Sequence, residues 1–225
     1  MIADAVLFDL DGTLADTALD LGAALNRLLA EEGRAPLTPE QTRPLTSNGT
    51  RGLLGVGFGI APGDAAYADL ARRFLEHYAA SVCECTVLFP GVSQLLDALD
   101  ERGVRWGVVT NKPHRFTVPL LEALGLGPRC ACIVSGDSTP RPKPDPGPLL
   151  LGCSTANARP QRSLYVGDDE RDIVAGRSAG MLTVAAAWGY LGVDAPPDDW
   201  NAHAIIDEPP QVLDLLDLDK FTGRS

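Results

Sequence analysis

The sequence predicts an α/β fold, a Rossmann-like parallel sheet with helices on both faces, plus an inserted all-helical cap. Three observations lead there. From residue 92 onward, short apolar and β-branched runs alternate with helix-length segments, the pattern of parallel strands joined by helical crossovers. One apolar run near the start is followed by residues 17–86, where no strand pattern is evident. Acidic, hydroxyl and amide residues gather where the runs end, and open α/β sheets bind ligands at the carboxyl ends of their strands.

In chain order, Ala5-Val6-Leu7-Phe8 reads as a buried first strand. Leu21, Leu25, Leu28 and Leu29 recur at helical spacing and mark an amphipathic helix. Thr38-Pro39-Glu40-Gln41 reads as a helix start, and 65–80 as a further helix. The edges of this insert fall near Asp16-Thr17 and Phe89-Pro90-Gly91. The expected division is a catalytic core of residues 1–16 and 87–225, with a helical cap of residues 17–86. Further strands are predicted at 104–109, 132–134, 164–166, 182–184 and 204–206. Helices are predicted at 92–102, 114–125, 146–156 and 170–179, with a closing helix at 209–218.

With 225 residues, 45% of them hydrophobic, the chain can bury a good-sized core. A net charge of −11 argues against a nucleic-acid partner, which needs a basic surface, and against a membrane-surface role. Lysine is scarce: Lys112, Lys143 and Lys220 are the only ones. The five cysteines form no C-x-x-C pair and read as small hydrophobes in a reducing compartment. The first residues carry no basic segment, and no apolar run approaches membrane-spanning length, so the expected compartment is the cytosol. The expected state is a monomer or homodimer.

Chemistry concentrates at four strand ends. Phe8-Asp9-Leu10-Asp11-Gly12-Thr13 closes the first strand, where Gly12 permits a sharp turn. Two converging carboxylates repel unless a cation or shared proton holds them; a solvated turn is the plainer account. Thr110 and Asn111 follow the second core strand, as phosphoryl-oxygen donors or as helix caps. Lys143 lies between Pro142 and Pro144, which limit its backbone. Gly167-Asp168-Asp169 ends the fourth, with Asp172 one helical turn beyond.

Taken together, these residues resemble the four motifs of the haloacid dehalogenase superfamily of phosphotransferases, over essentially the whole chain. The resemblance implies a Rossmann-like core with the first strand central, the helical insert standing where that superfamily's first cap type belongs. It implies Asp9 as nucleophile and Asp11 as general acid and base. Asp9, the backbone carbonyl of Asp11 and Asp168 would hold Mg²⁺, supported by Asp172 and Asp169, for which plain acids at a helix N-terminus are the competing account. Thr110, Asn111, Thr13 and Lys143 would bind the transferring phosphoryl group.

Within the superfamily, a dehalogenase has no use for the second acid. A phosphonatase needs a cap lysine, and residues 14–111 contain none. A sugar-phosphate mutase shares the core motifs. A phospho-receiver module, the non-enzymatic alternative, has neither Asp11's counterpart nor a cap. The chain is similar to the phosphoglycolate phosphatase branch, while Trp106-Gly107-Val108 and Trp188-Gly189-Tyr190 are also similar to N-acetylmuramic acid 6-phosphate phosphatases. Either substrate is a small phosphomonoester bearing a carboxylate. In the cap, Thr46-Ser47-Asn48-Gly49-Thr50-Arg51-Gly52 reads as a substrate loop in which Gly49 gives flexibility and Arg51 binds that carboxylate, or as a helix start with a surface arginine.

Overall fold

A computed structural model describes residues 2–191 and 195–220 of the chain. Strand β1 is Ala5–Phe8, all four residues buried. A two-residue strand β2, Ala15–Asp16, leads into helices α1 (Ala18–Glu31), α2 (Pro39–Thr42), α3 (Gly49–Phe58) and α4 (Tyr67–Ala79). The chain returns through β3 (Val87–Leu88) to α5 (Val92–Glu101), β4 (Arg105–Val109), α6 (His114–Ala123) and β5 (Ile133–Val134). Helix α7 (Gly147–Thr155), β6 (Ser163–Gly167), α8 (Glu170–Ser178), β7 (Leu182–Ala186) and β8 (Ala204–Ile206) follow.

Six strands form one sheet in the order β5-β4-β1-β6-β7-β8, every neighbouring pair parallel. Strand β1 lies inside it, flanked by β4 and β6. Its side chains alternate between two cores. Val6 and Phe8 pack with Leu95, Leu96 and Leu99 of α5. Leu7 packs on the opposite face with Leu149 and Cys153 of α7 and Ala175 of α8. A strand covered on both faces has no polar side, which is why its sequence is uniformly apolar.

Helices α1, α3 and α4 enclose a separate core. Leu21, Leu25, Leu28 and Leu29 of α1 meet Leu53 and Leu54 of α3 and Leu70, Phe74 and Tyr78 of α4, with Phe116 of α6 reaching in from the sheet side. Thr38 and Gln41 form a capping box at α2, as the sequence suggested. That helix lasts one turn and continues as a 3₁₀ segment, Arg43–Asn48; Pro44 has no N–H to carry an α-helical ladder. Just outside the helical stretch, β2 and β3 pair antiparallel, Ala15 with Leu88 and Asp16 with Val87. Two-residue strands are too short to show a periodicity, and sequence reading gave none there.

The predicted closing helix at 209–218 is instead two 3₁₀ segments, Pro209–Leu215 and Leu218–Lys220. Consecutive prolines remove two donors at its start, and such short stretches favour the tighter turn. Cys132 and Cys153 are buried, as expected of small hydrophobes, and burial pushes their thiols up to about 12 and about 11. Cys85 is exposed.

One buried carboxylate ties the two ends of the helical insert together. Asp20, in the first turn of α1, accepts from the backbone N–H groups of Glu84 (3.1 Å), Cys85 (2.9 Å) and Thr86 (2.9 Å) and from the Thr86 hydroxyl (2.7 Å). Removing that acceptor strands the two buried donors of Thr86 and loosens the part-buried N–H groups of Glu84 and Cys85. Asp20→Ala is therefore expected to lower unfolding free energy by about 2–3 kcal/mol, read from the shift in urea midpoint at unchanged slope.

Candidate active site

Every strand-end residue singled out above lies at the carboxyl edge of the sheet, because β1, β4 and β6 run parallel in register. Asp9 follows β1, its N–H bonded to the Val166 carbonyl of β6 (2.9 Å). Gly12 has φ +86°, and a Cβ there would collide with the Asp168 carboxylate. The turn after β1 thus requires glycine on both counts. Gly167 is equally constrained, since a Cβ would run into the Asp172 carboxylate.

Asp9, Asp168 and Asp172 each offer a carboxylate oxygen, the three lying within 4.8 Å of one another. Lys143 reaches into them: its Nζ is 3.0 Å from Asp9 Oδ1 and 2.7 Å from Asp172 Oδ1, and it donates to the Tyr165 hydroxyl (2.8 Å). Burial would pull the Lys143 ammonium down, but the charges of Asp172 and Asp9 outweigh it and hold the group above its ordinary value. Burial pushes Asp168 well above the usual carboxylate range, with Asp9 and Asp172 adding to it. Burial likewise raises Asp172, to about 7, against the opposing pull of Lys143. One ammonium does not balance three carboxylates. Asp9 Oδ1 is buried and accepts no hydrogen bond of good geometry, despite the nearby ammonium. An all-oxygen donor set with an unsatisfied member fits a hard divalent cation.

Asp11 stands apart from this cluster. Its Oδ1 takes the Thr17 hydroxyl (2.6 Å) and the Lys112 ammonium (2.9 Å), and Lys112 in turn lies 4.6 Å above the Tyr78 ring of α4. Asp9, Asp11, Thr110, Asn111, Lys112 and Arg171 line a cavity of about 290 Å³, whose opposite wall is Leu21, Phe74, Leu75 and Tyr78. Thr46, Ser47, Asn48 and Gly49 close one side.

Several expected roles change. Thr13, expected to bind phosphate, is fully buried and donates to Asp168 (2.9 Å), so its hydroxyl orients a carboxylate. Asn111 also lines the cavity, but both ends of its amide hold the Lys143 backbone, at 2.9 Å each. The Asp169 carboxylate caps α8 and pairs with Arg171 (2.7 Å), while its N–H donates to the clustered Asp172 (3.2 Å), so it acts as the acid at a helix start. Arg51 is exposed and lines a neighbouring cavity with Asp169, Glu170, Arg171 and Trp200; of the two arginines, Arg171 alone also lines the cavity above Asp9.

Contacts that no local pattern announces also appear. Ser47 donates to Asp168 (3.0 Å). Arg43 bonds both oxygens of Asp16 (2.9 and 2.8 Å) and lies over the Tyr190 ring (5.0 Å), while the Tyr190 N–H donates to Asp168 (2.9 Å). Lys112 carried one available signal, the rarity of lysine in the chain.

A family model, haloacid dehalogenase-like hydrolase, matches residues 6–186. The chain belongs to that family. It is 40% identical over 213 residues to an N-acetylmuramic acid 6-phosphate phosphatase of Pseudomonas aeruginosa, covering 95% of this chain and 94% of the relative. It is 44% identical over 209 residues to a phosphoglycolate phosphatase of Xanthomonas campestris, covering 92% and 94%. Among solved structures it is similar to one described as a predicted phosphoglycolate phosphatase from Haemophilus somnus, with a TM-score of 0.83 at 28% identity, covering 95% and 97%. The chain is accordingly a phosphatase of the haloacid dehalogenase type. No helix among its described residues is long and apolar enough to cross a membrane.

The buried acids give a signed pH dependence in the metal-free protein. Asp172 and Asp168 bind protons more tightly folded than unfolded. Their contribution is complete below the ordinary carboxylate value and is lost as pH rises through about 7 for Asp172, and further for Asp168. In EDTA, the unfolding midpoint is therefore expected to fall between pH 5 and pH 8. Added Mg²⁺ should restore more of it at pH 8 than at pH 5, as differential scanning fluorimetry would show.

Proposed function

We propose that this phosphatase hydrolyses a small carboxylated phosphomonoester, such as 2-phosphoglycolate, through an aspartyl phosphate on Asp9 with Mg²⁺ as cofactor. The observation that carries the reading is the convergence of Asp9 and Asp11 on one cavity, while Lys143 pairs with Asp9 beside two further carboxylates that complete an oxygen donor set. The Asp9 carboxylate attacks phosphorus, forming an acyl phosphate as the bond to the leaving oxygen breaks. Asp11 donates its proton to that oxygen. In the second half Asp11 takes a proton from water as the water oxygen attacks phosphorus, releasing inorganic phosphate and regenerating Asp9. Lys143 and the Thr110 hydroxyl face the charge carried by the phosphoryl oxygens.

Asp9, Asp168 and the backbone carbonyl of Asp11 are the residues that would hold Mg²⁺, with Asp172 fixing Lys143. The ion would neutralise charge on the phosphoryl oxygens during transfer. Residues 17–86 act as a cap that opens to admit substrate and shuts to exclude water, hinging near 14–17 and 86–91.

A second reading is N-acetylmuramic acid 6-phosphate. It is favoured by the cavity's size and its apolar wall of Leu21, Phe74, Leu75 and Tyr78, which offer more room than 2-phosphoglycolate fills.

Purified protein is expected to release phosphate from one of these two compounds in a magnesium-dependent manner. Isomerisation of β-glucose 1-phosphate without phosphate release would instead favour a mutase. Asp9→Asn should abolish turnover with an unchanged circular dichroism spectrum, and near-normal turnover would exclude the aspartyl phosphate. In Asp168→Ala the magnesium concentration for half-maximal rate should rise, with activity partly recovered at high magnesium; an unchanged requirement would remove Asp168 from the ligand set.

A further inference from the structure

Both candidate substrates carry a carboxylate besides the phosphate, and the cavity contains a cation suited to it. Arg171, in the first turn of α8, lines the same cavity as Asp9. Its Nε and Nη2 pair with the two oxygens of Asp169 at 2.7 and 2.8 Å. Nη2 also donates to the Ser47 carbonyl (2.8 Å) and to Asn48 Oδ1 (3.3 Å), both at the end of the 3₁₀ segment that closes one side of the cavity. Among the described residues, Nη1 donates to none.

The cavity's other lining cation, Lys112, is already ion-paired to Asp11 at 2.9 Å and seated on the Tyr78 ring. Lys143 is held among Asp9, Asp172 and Tyr165. Arg171 is thus the cation lining the cavity that keeps a donor atom uncommitted. A guanidinium fixed along one edge by a carboxylate has its remaining N–H groups aimed in advance, which is what selective recognition of an anion needs.

We infer that Arg171 is the specificity-determining cation, its Nη1 receiving the carboxylate of the substrate while the phosphate sits on Asp9. This rests on the phosphomonoesterase reading above and replaces Arg51, which lines the neighbouring cavity, in the role of carboxylate receptor. Because the same side chain bonds Ser47 and Asn48, the carboxylate and the closing loop meet on one group.

The test compares kcat/KM for 2-phosphoglycolate and for its uncharged amide, phosphoglycolamide, in wild type, Arg171→Met, Arg171→Lys and Arg51→Ala. Wild type is expected to prefer the acid. Arg171→Met should reduce that preference about ten- to a hundredfold, the worth of one charge-assisted hydrogen bond. Arg171→Lys, which keeps the charge, should retain more of it. Equal losses on both compounds would mean that Arg171 only holds the loop, and would overturn the inference. Loss of preference in Arg51→Ala, with preference kept in both Arg171 variants, would overturn it in favour of Arg51. Absence of phosphate release from either compound by wild type would overturn the substrate reading itself, an outcome distinct from the other two.

Discussion

The arrangement depends on one electrostatic constraint, the packing of Asp9, Asp168 and Asp172 into a buried space where each has an oxygen within 4.8 Å of the others. Like charges so close, removed from water, are tolerated only with compensation. Lys143 provides part of it, with a buried ammonium shared between Asp9 and Asp172. Much of the neighbouring structure serves to keep that lysine in place. Asn111 clamps its backbone from both sides, and Tyr165, whose own hydroxyl donates to the Val109 carbonyl (2.7 Å), receives its third bond. The remaining excess of negative charge is the physical reason the site suits a divalent cation. The closeness of the packing, rather than the charge, is what calls for glycine at Gly12 and Gly167, where a Cβ would press on the carboxylates.

The same cluster is coupled to the helical insert through direct bonds. Asp168 accepts from Thr13 below, from the Tyr190 N–H beside it, and from Ser47 on the loop before α3. Tyr190 also receives the Thr17 N–H (2.7 Å) and donates to Asp16 (3.0 Å), the residue that Arg43 grips with one nitrogen on both oxygens. The segment where the chain leaves the sheet is therefore bonded to the insert and to the carboxylate cluster at once. A rearrangement of the insert would exchange these bonds for water or for substrate, which gives closure a direct route to the chemistry.

The cavity itself has two characters. Its floor is charged and hydroxylic, built by the sheet edge, and its far wall is apolar, built by α1 and α4. The floor suits phosphoryl transfer to an aspartate in general, and relatives with two different named activities share this chain's length and about 40% of its residues. The proposed choice among phosphomonoesters would then rest with the apolar wall and the segment beside it, which differ most in character from the floor.

How much of this was legible beforehand follows from the range of the interactions involved. Strand β1 could be read because burial on both faces leaves an unbroken apolar run. The site residues Asp9, Asp11, Thr110, Lys143, Asp168 and Asp172 could be read because each follows a strand or a proline-bounded turn, and a parallel sheet brings strand ends to one edge. The sequence alone thus determined the sheet, the helical stretch inserted after its first strand, and which polar residues gather at one sheet edge. The tertiary structure alone decided that Arg171 lines the cavity above Asp9 and Arg51 does not, for the two look equally available in a string of letters, and only chain packing bonds Arg171 to Ser47 and Asn48. It likewise decided that Thr13 supports Asp168, that Lys112 pairs with Asp11, and that the last segment winds as 3₁₀ turns. Local signals fix what repeats along the chain, whereas a side chain's partner is set by distances across the fold, and those exist only once the core has packed.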